Sequence, residues 1–122
     1  MAIRIYDETL EQEMRQYRSY LLICFDTDDD ASFAAKDIGK EYDCIIVKSK
    51  YRGDLINNVF IPVSKNKNSE KLFNYDYALE FCKNVCKKHR GRNFEMCVED
   101  VDWDTGEPIG WLSIYDSNGN RL

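Results

Sequence analysis

Tyr20-Leu21-Leu22-Ile23-Cys24-Phe25 is an unbroken apolar run that ends at Asp26. Six residues without a polar break suit a strand buried on both faces and are too few for a core helix. Such a strand belongs in the middle of a sheet, so the flanking sequence must supply neighbours and a covering layer. Downstream, Asp30 or Ser32 is placed to cap a short helix carrying Phe33, Ala34 and Ile38, with Gly39 at its end. Cys44-Ile45-Ile46-Val47 reads as a second buried strand. Beyond the Arg52-Gly53-Asp54 turn, Val59-Phe60-Ile61-Pro62-Val63 reads as a third. It should lie at an edge or stop at Pro62, because proline has no N–H for a ladder.

A polar loop over 64–71 leads to Asn74 or Asp76, which opens the clearest helix of the chain. Ala78, Phe81, Cys82, Val85 and Cys86 recur at i, i+3, i+4, i+7 and i+8, and Gly91 stops the run. Phe94, Met96 and Val98 then alternate with Glu95, Cys97 and Glu99, the period of a strand with one buried face. Thr105-Gly106-Glu107-Pro108 turns the chain into a last strand, Ile109 to Tyr115, and Asn118-Gly119 carries a further turn signal. Upstream, Ile3 to Tyr6 suits a short edge strand or an arm. Thr9-Leu10-Glu11-Gln12 has the form of a capping box, with Leu10, Met14 and Tyr17 on one helical face behind it.

The expected fold is therefore α+β and a single domain over residues 1–122. Residues 20–98 form a ferredoxin-like βαββαβ core with both helices on one face of the sheet. Residues 1–18 add an N-terminal arm and helix, and residues 99–122 add a C-terminal hairpin strand. No Gly/Ser linker, low-complexity tract or internal repeat divides the chain. The longest apolar run is far too short to span a bilayer, and no basic region followed by an apolar stretch marks the N-terminus. The five cysteines are an odd number, and Cys24, Cys44 and Cys97 sit in apolar runs. A reduced, cytoplasmic setting with cysteine as a small buried hydrophobe is the economical expectation.

The net charge of -5 argues against a general duplex-coating protein, which needs a basic face to displace counterions. The total conceals a segregation. Residues 1–47 hold 5 basic and 11 acidic side chains, residues 48–92 hold 11 and 4, and residues 93–122 hold 1 and 7. A local field follows local charge, so the middle block is a candidate anion-facing surface inside an acidic shell. Its densest part is Lys83, Lys87, Lys88, His89, Arg90 and Arg92, followed at once by Asn93 and Phe94. Arginine matches phosphate oxygens with a planar fork, asparagine can read a base edge, and an aromatic ring offers a stacking face. Arg52, with Lys48 and Lys50, is placed to contribute from the strand-to-turn region. In the last strand Leu112 and Ile114 are expected to face the core, leaving Trp111 and Tyr115 as an aromatic patch on the other face. The candidate ligand site is thus Arg52, Lys87, Arg90, Arg92, Asn93, Phe94, Trp111 and Tyr115. The competing reading of the basic run is a solvated helix end, whose cations complement the macrodipole by roughly 0.3–1 kcal/mol each.

Other constellations carry less. Asp26-Thr27-Asp28-Asp29-Asp30 alternates carboxylates like a calcium loop, but Ala31 stands where the glycine belongs. Asp100, Asp102 and Asp104 repeat the alternation with Gly106 one place late. Cys82, Cys86 and His89 share a helical face, yet the cysteines also complete the apolar stripe, and zinc wants a fourth ligand. No metal or other cofactor is expected. No Gly-rich phosphate loop and no nucleophile–His–acid motif appears, so no enzyme is expected.

The leading expectation is a non-enzymatic binding protein that sequesters or senses a small anionic nucleotide, as a counter-defence protein of a phage or mobile element does. A homo-oligomer is expected, because a small chain gains a deep pocket most easily between subunits. The alternative is an acidic inhibitor that mimics nucleic acid and docks on a basic protein partner through Asp28, Asp29 and Asp30. A third, enzymatic reading requires a pocket in which His89 meets a carboxylate within hydrogen-bond reach.

Overall fold

The computed structural model describes residues 3–6, 19–51, 54–63, 71–101, 104 and 108–122. In chain order the elements are β1 (Ile3–Tyr6), β2 (Tyr20–Phe25), α1 (Asp28–Ile38), β3 (Cys44–Tyr51), β4 (Asp54–Pro62), α2 (Tyr75–His89), β5 (Asn93–Val101) and β6 (Pro108–Asp116). They build an α+β domain around one six-stranded sheet of order β1-β3-β4-β2-β5-β6. β1 pairs parallel with β3, and every other pairing is antiparallel. The sheet therefore differs from a bare four-stranded ferredoxin-like one. β1 is added at one edge and β6 at the other. The expected leading helix falls on residues 7–18, outside the described residues.

The apolar run of β2 takes a central place, between β4 and β5. Leu21, Ile23 and Phe25 point to the face that carries both helices and are fully buried there with Val59, Ile61, Phe94 and Met96. Burial of each such side chain contributes about 1.5–3 kcal/mol. The opposite face holds a smaller cluster of Tyr20, Leu22, Ile45, Val47 and Phe60. Burial on both faces is what the unbroken apolar pattern of β2 requires.

Several local details depart from expectation for identifiable reasons. α1 is capped by Thr27, whose Oγ1 accepts from the Asp30 N–H (3.2 Å); Asp28, Asp29 and Asp30 fill the first turn, where negative charge faces the helix N-terminus favourably. Its buried face is Ala31, Ala34, Ala35 and Ile38. Phe33 points outward and is 61% exposed. β4 is longer than its apolar half: it begins at Asp54 and carries Asn57 and Asn58 into the interior, both buried. Pro62 is its last residue, so the missing N–H falls at the strand end even though β4 is an interior strand.

α2 is capped by Asn74, which accepts from the Tyr77 N–H (3.0 Å), and buries Ala78, Cys82, Val85 and Cys86. It ends at Arg90, which adopts the left-handed conformation (φ 59°, ψ 42°). Gly91 follows, and its N–H returns to the Cys86 carbonyl (2.9 Å), closing a Schellman-type turn. The glycine is needed for space: a Cβ on Gly91 would lie 2.5 Å from Cys86 Sγ and 2.8 Å from Cys86 Cα.

The last strand presents the face opposite to the one expected. Register pairs Phe94 with Tyr115 and Glu95 with Ile114. Tyr115 is therefore buried under the helices, and Ile114 is 38% exposed. After β6 the Asp116 side chain accepts from the N–H groups of Asn118 and Asn120 (2.9 Å each), and Gly119 takes φ +84°. The chain end then folds back along β6, with the Leu122 N–H on the Ile114 carbonyl (2.8 Å). Among the described residues no helix is long and apolar enough to cross a membrane.

Candidate functional site

The two helices run side by side over the sheet, and two clefts flank the C-terminal end of α2, one shared with α1 and one with the turn after β6. The first is an open cleft of about 620 Å³ between the helices. α1 supplies Phe33, Lys36 and Asp37, with Lys40 just beyond its end, and α2 supplies Lys88, His89 and Arg90. Residues 33, 36, 37 and 40 are spaced at i, i+3, i+4 and i+7, which sets them on one helical face. Lys88, His89 and Arg90 are brought opposite by the last turn of α2 and its left-handed cap.

Asp37 is the centre of this cleft. Its Oδ2 accepts from Lys88 Nζ (2.9 Å) and from His89 Nε2 (3.0 Å), and Lys40 Nζ stands 3.9 Å from Oδ1. The His89 bond, then the Lys88 bond, holds the Asp37 carboxyl down at about 2, well below its ordinary value. The His89 side chain is 14% exposed, so this contact fastens the end of α2 to α1. Lys36 and Arg90 hold no ion pair among the described residues. With the Asp37 and Asp30 carboxylates counted, the cleft retains an excess of positive charge. Phe33 forms an exposed apolar wall beside it.

The second cleft, of about 690 Å³, lies on the other side of Arg90. Glu80, Lys83, Asn84 and Lys87 line it from α2, and Ser117 and Asn118 from the turn after β6. Lys83 pairs with Glu80 (3.1 Å), and its stem lies across Gly119. Lys87 and Arg90 carry the remaining charge.

The sequence-derived candidates are distributed over three places. Lys87 and Arg90 meet in the second cleft, and Arg90 lines the first as well. Arg92 lies apart, 3.6 Å from Asp26 across the strand ends, where both side chains are exposed. Asn93 opens β5 opposite Cys24, and its Oδ1 is buried with no hydrogen-bond partner among the described residues. Phe94 and Tyr115 are core residues. Their rings stack at 5.1 Å with an interplanar angle of 19°, and the Tyr115 and Tyr75 hydroxyls share a hydrogen bond of 2.8 Å. Arg52 lies outside the described residues, as does the side chain of Trp111.

Phe33, Lys36, Asp37 and Lys40 were not singled out by the sequence pattern, although their helical spacing is legible in it. Phe33 reads as a core residue because it adjoins Ala34, and the two lysines are interleaved with acids. Among the described residues no group of three or more His, Cys, Asp or Glu is arranged to hold a metal ion. Cys82 and Cys86 are buried in the core, and burial pushes the Cys86 thiol up to about 11. Of the acidic run, Asp26 is engaged by Arg92, and Asp28 by Lys48 (3.3 Å).

Chemically, the first cleft offers ammonium and guanidinium donors for anionic oxygens and a ring face for a flat apolar group. It also satisfies the geometric condition for acid–base work, an imidazole on a carboxylate. Its lining contains no hydroxyl or thiol to serve as a nucleophile. Comparison with known protein families, with curated proteins and with solved structures finds no match to this chain.

Proposed function

We propose that the protein is a non-enzymatic binder of a compact phosphate-bearing ligand of nucleotide type, held in the cleft between α1 and α2. The observation that carries this reading is the lining of the first cleft. Lys36, Lys40, Lys88, His89 and Arg90 surround it, against only Asp30 and Asp37, with the exposed Phe33 ring as a wall. Phosphate oxygens would take the guanidinium and ammonium groups, and a base would lie on Phe33. The volume lies within the range of small-ligand sites. Asp37 already occupies Lys88 and His89, so their first duty is to hold the helices together. Lys36 and Arg90 are the groups left for a ligand.

Several companion readings belong here. The order β3-β4-β2-β5 with two helices on one face supports a ferredoxin-like core inside the wider sheet. Capture without turnover suits a sequestering or sensing role, such as counter-defence in a phage or mobile element. The cleft is open, and a second copy closing over it would deepen it. Light scattering with and without ligand reads that oligomeric state. The acidic-inhibitor reading has less support, since Asp26 and Asp28 are matched by cations of the same chain.

Calorimetry against linear and cyclic mononucleotides tests the main reading. At least one should bind, and Lys36→Gln with Arg90→Gly should weaken it on the order of tenfold or more, about 1.4 kcal/mol. Arg90→Gly separates binding from folding. Glycine adopts φ 59° without the Cβ penalty, so stability should stay level or rise by roughly 1 kcal/mol while binding falls. No heat from any nucleotide, or unchanged affinity in both variants, overturns the reading.

A further inference from the structure

Arg90 belongs to two clefts. It closes the α1–α2 cleft from one side, and from the other it lines the cleft between α2 and the turn after β6. Its backbone explains the position: the left-handed cap lifts residue 90 off the helix cylinder at the point where the two clefts meet. A left-handed cap is the place where glycine or asparagine is cheapest, and this chain carries arginine there. The guanidinium has five donors in one plane and can meet an oxyanion on each of two edges.

The second cleft is suited to a phosphate group in its own right. Lys87 holds no ion pair among the described residues, and Lys83, laid over Gly119 where a Cβ would lie 2.6 Å from its Cδ, answers the carboxylate of the lining, Glu80 (3.1 Å), so that the cleft keeps a net positive charge. Asn84, Ser117 and Asn118 add neutral donors. The turn that presents Ser117 and Asn118 is fixed by Asp116, whose Oδ1 accepts from two N–H groups and whose Oδ2 accepts from Asn120 Nδ2 (3.2 Å). Those bonds, the Asn120 N–H first among them, hold the Asp116 carboxyl below its ordinary value.

We propose that the ligand carries two phosphate groups separated by a nucleoside, one in each cleft, with Arg90 between them. The ligand class is a dinucleotide. This rests on the reading of the first cleft as a nucleotide site and extends it across Arg90. A second phosphate held on the same molecule adds affinity without a second loss of translational freedom, so a spanning ligand gains well beyond a single-cleft one.

The test is calorimetry with adenosine diphosphate and with 5′-phosphorylated linear diadenylate, repeated in the guanine and uracil series. The two probes carry similar total charge. In the diphosphate the phosphates are adjacent and fit one cleft; in the dinucleotide a nucleoside separates them. The dinucleotide should bind on the order of tenfold tighter or more. Lys83→Gln combined with Lys87→Gln removes both charges and leaves polar side chains in their place; it should erase that advantage and leave diphosphate affinity unchanged. Equal affinities for the two probes, an advantage that survives the double variant, or a double variant that weakens both probes alike overturns the two-cleft ligand. The first cleft's reading survives the first two of those results, whereas diphosphate binding lost in the double variant moves the nucleotide out of the first cleft and counts against that reading as well. Binding of neither probe in any base series overturns the two-cleft ligand, and with no heat from any mononucleotide either, the first cleft's reading falls too.

Discussion

Two adjoining regions of this small domain handle charge in opposite ways. At the strand ends beside the start of α1, each described cation is met by a carboxylate: Arg92 by Asp26 at 3.6 Å, and Lys48 by Asp28 at 3.3 Å. In the adjoining cleft between the helices, one carboxylate, Asp37, gathers Lys88, His89 and Lys40, while Lys36 and Arg90 hold no ion pair among the described residues. Each of those pairs is neutral at short range, and Asp29 and Asp30 beside them leave no excess of cations. The second keeps a positive field over a concave surface. What decides anion binding is therefore the ratio of cations to carboxylates within one cleft, not the charge of a sequence block.

The largest effect on this contrast should come from Gly91→Ala. The added Cβ meets the Sγ and the backbone of Cys86 inside the turn that positions Arg90, and neither can retreat far. Overpacking of this kind costs about 1–3 kcal/mol. Urea unfolding should show that loss, and nucleotide binding should fall further than stability does, because Arg90 would be displaced from the junction of the clefts. A variant as stable as the parent would mean that the turn relaxes at no cost and that Arg90's placement is not fixed by Gly91.

How much of this was readable from residues alone depends on whether a pattern had one solution or two. β2 and α2 had one: an unbroken apolar six-mer and a stripe of Ala78, Cys82, Val85 and Cys86 bury themselves in one way. β6 had two, since Trp111, Ser113 and Tyr115 compete with Leu112 and Ile114 for the core. Register against Phe94, fixed by pairing and by the Asp116 turn, chose Tyr115. The start of β4 was hidden because Asn57 and Asn58 read as loop residues, although both are buried in the sheet. In the site, Lys87 and Arg90 were legible from the density of cations at a helix end. Arg92 was grouped with them by proximity in sequence, but it begins an extended segment that leads away to Asp26. Lys36, Asp37 and Lys40 come from a different helix, and only packing of α1 on α2 brings them to Arg90.

A middle-sized effect should follow from Asp37→Asn, which removes the carboxylate that Lys88, His89 and Lys40 share. Its carboxyl is lowered from 3.8 to about 2 by the donors His89 and Lys88, so it favours the folded state when ionised. That contribution is fully present above the unfolded value near 4 and is lost as the pH falls toward 2. In the parent, stability should decline through this window more steeply than in the Asn variant. At neutral pH the variant should be less stable by roughly 1 kcal/mol, a figure kept small because the pair is partly solvated. Its cleft should also gain anion affinity, since Lys40 and Lys88 are released. Parallel acid-unfolding curves for parent and variant would show instead that the clasp does not report on folding.

The smallest effect should come from the matched end. Arg92 and Asp26 are both more than half exposed, and exposed pairs contribute about 0–1 kcal/mol. A double-mutant cycle on Arg92→Ala and Asp26→Ala should return a coupling below about 0.5 kcal/mol that vanishes in high salt. Nucleotide affinity should hardly change in any corner of the cycle, because Arg92 lines neither cleft. That insensitivity is the sharp part of the test. Arg90 and Arg92 are two residues apart in sequence and carry the same group, so any account based on the net charge of the basic run predicts similar losses for both. A loss on Arg92→Ala as large as that on Arg90→Gly would place the ligand at the strand ends and dissolve the contrast between the two regions.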